Sequence, residues 1–146
     1  MVGKLHWILM GVFLMLPINS AQADNNNATF QSMDIQDATL LPLEDGVSAI
    51  LRFSINNETS EVLTLLGTQS KFFAQSEIMV KLSESKTERL ASLSISGEEA
   101  LDLTTNHMFI KLSGGRKGSD LPPNITMRLL LISGEVEFVA HVLPSL

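Results

Sequence analysis

Apolar and polar residues alternate with a period of two along most of this chain. Val47, Ala49, Leu51, Phe53 and Ile55 are separated by Ser48, Ile50, Arg52 and Ser54, the pattern of a half-buried strand. Asn56-Asn57-Glu58-Thr59-Ser60 supplies turn residues, and Val62 to Leu66 starts the next strand, which together make a hairpin signature. The alternation returns at Ile78, Val80 and Leu82, at Leu101 and Leu103, and at Met108, Ile110 and Leu112. Ile125, Met127, Leu129 and Leu131 form one face after Pro122-Pro123, and Val136, Phe138, Ala140 and Val142 form another after Ser133-Gly134. With a first strand near Met33, the pattern predicts seven to eight short strands. No segment holds apolar residues at helical spacing long enough for a globular helix. Parallel sheets need helical crossovers, so the chain is expected to be all-β, an antiparallel sandwich with Greek-key connections.

The N-terminal residues follow a different rule. Lys4 and His6 give a positive start, Trp7 to Leu16 is apolar apart from Gly11, and Pro17 precedes Ala21-Gln22-Ala23. This order is that of a secretory signal with a small-x-small cleavage site. A spanning helix needs about 20 apolar residues, and this run has roughly half as many. The expected organisation is a signal peptide over 1–23 cleaved after Ala23, a flexible polar lead-in over 24–29, and one domain over 30–146. The mature protein is then expected in the periplasm or secreted, with no membrane insertion after cleavage.

Charge and cysteine content narrow the function. The formal net charge is −6, and loss of Lys4 with the signal makes it −7. The basic residues are scattered, so nucleic acid is not an expected partner. The absence of cysteine removes disulfides, thiolate metal sites and thiol nucleophiles. With no tyrosine either, the mature chain offers only His107 and His141 as acid–base groups near neutral pH. No nucleophile and base can be assembled from them, so no enzyme is expected.

Three side chains stand out. His141 shares a strand face with Glu135, Glu137 and Val139 and reads as a solvated surface histidine. His107 opens a strand just after Thr104-Thr105-Asn106, where loop side chains converge. Met79 lies on the polar side of its strand, between Glu77 and Lys81, and offers a thioether suited to Cu(I). Gly114-Gly115-Arg116-Lys117-Gly118 lacks the ending of a phosphate cradle and reads as a basic strand connection. Asn27, Asn57 and Asn124 begin formal glycosylation sequons.

The order and spacing of several segments resemble the periplasmic copper chaperone family PCuAC. The segments are Val47 to Asn57, Ala74 to Val80, Leu101 to Leu112 with Asn106-His107 inside it, and Met127 to Val142. The resemblance implies an exported, cupredoxin-like β-sandwich. It also implies Cu(I) held by a His and a Met from one region and a His-x-Met pair from another. Residues i and i+2 share a strand face, which lets imidazole and thioether converge on one ion. His107 matches the second His. Met79 falls where the first His would be, Leu90 where the first Met would be, and Phe109 where the second Met would be. Met108 is adjacent to His107 and could join it only through a bulge.

The resulting expectation is a periplasmic copper-binding, chaperone-like protein with His107, Met79 and Met108 as metal ligands and a copper-accepting envelope protein as partner. The alternative is a metal-free sandwich that recognises a protein or small ligand through loops such as Ser113 to Pro123.

Overall fold

The computed structural model describes residues 33–116 and 120–145. The expected signal peptide, its cleavage point and the lead-in lie outside the described residues. Ten strands follow one another: β1 Met33–Pro42, β2 Ala49–Asn57, β3 Leu63–Gln69, β4 Gln75–Ser83, β5 Lys86–Leu90, β6 Leu93–Ile95, β7 Ala100–Asp102, β8 Met108–Ser113, β9 Asn124–Leu131 and β10 Gly134–Val142. The count exceeds the expected seven to eight because β5 and β6 carry no alternating pattern. β5 reads Lys-Thr-Glu-Arg-Leu and is exposed until Leu90; β6 has three residues. Both are held by pairing, with β4 and β3 respectively.

All strands join one sheet in the order β5-β4-β8-β2-β1-β10-β9-β3-β6, with β7 continuing the edge of β2 beyond β8. Neighbours such as β2–β8 and β3–β9 are distant in sequence, as Greek-key crossings require. The pairing is antiparallel except between β1 and β10, where Thr39 meets His141 and Leu40 meets Val142 in parallel. The sheet curls until β3 and β4 come together. There the Thr68 N–H donates to Ser76 Oγ at 2.9 Å. Gly67 permits this approach, since a Cβ on it would stand 2.9 Å from the same oxygen. The result is a nearly closed, all-β sandwich.

The core fills from one face of each long strand. β2 alternates throughout, with Ala49, Leu51, Phe53 and Ile55 fully buried. β9 contributes Ile125, Met127, Leu129 and Leu131. The Phe53 ring leans on Phe138 with centroids 5.4 Å apart and planes at 51°, a tilted arrangement that aromatic quadrupoles favour. Turns are fixed by side chains. Asp45 accepts from the N–H groups of Val47 and Ser48 at 2.9 and 2.8 Å, closing the β1–β2 turn around Gly46 at φ 69°.

Asn57, at the end of β2, is fully buried. Its amide donates to the carbonyls of Glu61, Ile95 and Ser96, and its oxygen accepts from the N–H and hydroxyl of Thr59. The sequon at Asn57 is therefore closed to a glycan in the folded protein.

Candidate metal-binding face

β4 and β8 pair so that Ile78 faces Ile110, Met79 faces Phe109 and Val80 faces Met108. Ile78 and Ile110 are buried. Alternation therefore turns Met79 and Phe109 to the outer surface and Val80 and Met108 toward the core. One step further along, the Lys81 N–H donates to the His107 carbonyl at 2.7 Å. This contact extends the register and sets His107 opposite Lys81, on the same outer face as Met79. Met79 and His107 are thus diagonal neighbours across two paired strands, a separation of about 7–8 Å that long side chains can bridge. Met79 is half-buried and His107 exposed.

Met108 does not join them. No bulge interrupts β8 here, and the Met108 side chain packs against the hydrophobic core. Of the three residues expected as ligands, His107 and Met79 share the outer face and Met108 lies on the other. Leu90 pairs with Ile78 and also packs on the core. The residue of β5 that faces Met79 is Arg89, which sequence reasoning missed because β5 shows no strand pattern of its own.

Charges surround this pair. Arg89 forms an ion pair with Glu77 at 3.3 Å, and Lys81 with Glu84 at 2.8 Å. The Glu84 carboxyl is held below its ordinary range by the hydrogen bond from Lys81, by the Lys81 charge and, more weakly, by His107. The imidazole therefore lies within the field of the Lys81–Glu84 pair. Among the described residues no group of three or more His, Asp or Glu is placed to hold an ion. A metal on this face would depend on the thioether. One imidazole and one thioether suit a soft monovalent ion with low coordination, and the flanking ammonium and guanidinium are each balanced by a carboxylate.

The other sequence candidates are structural or peripheral. His141 Nδ1 lies 3.2 Å from Asn124 Oδ1 on the opposite side of the sheet order, and its neighbour Glu135 pairs with Arg128. Met127 is buried in the core.

No protein-family model matches the chain, and no curated protein matches it. Solved structures do. The chain is similar to the copper-bound PCuAC domain from PmoF2 (TM-score 0.64, 19% identity, covering 76% of this chain and 92% of that one). It is similar to the apo PCuAC domain from PmoF1 (0.64, 16%, 79% and 95%). It also matches apo-DR1885 from Deinococcus radiodurans (0.57, 15%, 97% and 95%). At these identities the likeness is one of fold: the protein has a PCuAC-like β-sandwich fold.

Proposed function

We propose that this is an exported copper-handling protein of PCuAC type that carries Cu(I) as cargo between His107 and Met79. The observation that carries the reading is the β4–β8 register, which puts an imidazole and a thioether on one outer face of a fold shared with a copper-bound PCuAC domain. The N-terminal signal pattern supports an envelope location, with cleavage after Ala23.

Two soft donors on an open surface hold an ion loosely and leave its remaining positions to an acceptor. Lys81 and Arg89 are each paired with a glutamate, so the face adds little net attraction for the ion beyond its two soft donors. A copper-accepting envelope protein is the partner this chemistry calls for, and delivery rather than catalysis is the role. The experiment is a Cu(I) titration of the mature protein against a competing chelator. A saturable single site that His107→Ala abolishes is the expected result; binding unchanged by that substitution overturns the reading.

One observation favours the metal-free alternative. A cleft of about 580 Å³ opens at the end of the barrel where β1, β8 and β10 finish. Phe72, Phe73, Leu43 and Leu121 give it apolar walls, and Gly115 and Arg116 bring in the β8–β9 connection. A concave site of this size, with apolar side chains among polar ones such as Glu44 and Asp120, suits a small ligand. A mature protein that binds no copper yet co-purifies with a stoichiometric ligand in this cleft would establish that alternative.

A further inference from the structure

The outward side of a strand pair is normally convex and polar, but between β1 and β2 it is a groove of about 490 Å³. Leu41 and Ile50 face each other across the pair and, with Leu143, make its apolar floor. Leu143 is fixed there by donating its N–H to the Leu40 carbonyl at 2.8 Å. At one end stands Arg52, opposite Thr39 in the register. At the same end, two residues before Thr39, is Asp37, which sits at the β1 bulge with φ 53°, a left-handed conformation uncommon for a residue with a Cβ.

Arg52 is half-buried and has one hydrogen bond, from Nη1 to the Thr104 carbonyl at 3.2 Å. Its Nε is buried without a partner. Among the described residues the ion pairs of Lys81, Lys86, Arg89 and Arg128 go to other partners, and no ion pair reaches Arg52. Asp37 lines the same groove but is outside ion-pair distance of the guanidinium. A partly desolvated guanidinium with no counter-charge is a costly arrangement. An arriving carboxylate would supply the missing counter-charge, accepting from the terminal nitrogens of the guanidinium.

We propose that this groove binds a small organic monocarboxylate with an apolar tail. The carboxylate accepts from Arg52, the tail lies over Leu41, Ile50 and Leu143, and Asp37, at the Arg52 end of the groove, disfavours a head group with more than one negative charge. The groove lies on the same outer sheet face as Met79 and His107, with Phe109 of β8 between them, but it shares no lining residue with that pair and stands whether or not copper binds there.

The test is amide chemical-shift mapping of the mature protein with octanoate and its neutral isostere octanamide. Octanoate is expected to saturate one site, with shifts centred on Thr39, Leu41, Ile50, Arg52 and Thr104. Octanamide should bind roughly tenfold more weakly or worse, because it lacks the charge-assisted hydrogen bonds. Arg52→Met, with folding checked by its melting curve, should lose the same factor for octanoate and change little for octanamide. If that variant does not fold, the two ligands on the wild-type protein decide the matter. Equal affinities for acid and amide, shifts centred on the Phe72–Phe73 cleft, or no saturation at millimolar octanoate would each overturn the proposal.

Discussion

Replacing Asn57 by alanine tests whether a single buried amide holds one end of the barrel together. The side chain ties the end of β2 to the turn at Thr59–Glu61 and to the residues closing β6. Asn57→Ala strips donors from the carbonyls of Glu61, Ile95 and Ser96 and removes the acceptor of the Thr59 N–H. Thr59 Oγ1 keeps its contacts with Glu61, so its hydroxyl is not orphaned. An amide has two N–H groups, so its three carbonyl contacts share them. At about 1 kcal/mol per net bond, two donors and one acceptor amount to about 3 kcal/mol, with a little more for the space vacated. For a domain of this size that corresponds to a fall in Tm of roughly 10 °C. The assay is reversible urea unfolding of the mature wild-type and variant proteins, followed by circular dichroism. Thr59→Ala, which leaves the three carbonyl contacts of the amide in place, should cost about a third as much. A loss below about 1 kcal/mol for Asn57→Ala would show that water replaces the amide without penalty, and the argument from burial would fail.

Three further expectations can be checked together. Met79→Leu should weaken Cu(I) binding while leaving unfolding nearly unchanged, whereas Met108→Ala should destabilise the fold by about 2 kcal/mol or less and leave Cu(I) affinity intact; the reverse pattern in a chelator competition would move the site to the other face. Phe53→Ala removes a fully buried ring tilted against Phe138 and should cost about 3–5 kcal/mol in the same urea assay, so a loss under 1 kcal/mol would contradict the packing described. The third concerns acid. The Asp45 carboxyl is held below its ordinary range by the Val47 N–H and then Ser48, and the Asp102 carboxyl by the hydroxyl and N–H of Thr104. A depressed carboxyl contributes stability that is present above its unfolded pKa and is lost as pH falls through its folded value. The β1–β2 turn and the β7–β8 connection should therefore loosen only below the ordinary carboxylate range, seen as faster amide exchange at Val47 and Thr104. Asp102→Asn should remove that pH dependence at Thr104, and a variant that retains it would refute the assignment.

Much of the candidate face was legible in the sequence. Met79 stands on the polar side of an alternating strand, and both Met79 and His107 could be singled out from the types of residue around them. Their neighbours could not. Arg89 belongs to β5, whose exposed, charged run carries no periodic signal because neither of its faces is covered until Leu90. Lys81 could be read as lying beside Met79 in sequence, but its position opposite His107 follows from a backbone hydrogen bond between β4 and the β7–β8 connection. Asn57 appeared as one turn residue among several; its burial depends on β6 arriving beside it, which no local pattern announces.

The division has one physical cause. Burying one side of a strand imposes a period of two on neighbouring residues, so the chain alone determined the all-β class, the core faces of β2, β9 and β10, and the inward-pointing Met127. Polar turn residues act over three or four positions, so they too were readable. Strand partners are chosen by long-range fit. Only the folded chain decided that β1 and β10 lie parallel, that β3 closes on β4 at Gly67, and that Met108 faces the core while His107 and Met79 share the outer surface. The groove that exposes Arg52 arises in the same way, from a bulge in β1 and a C-terminal segment laid beside it.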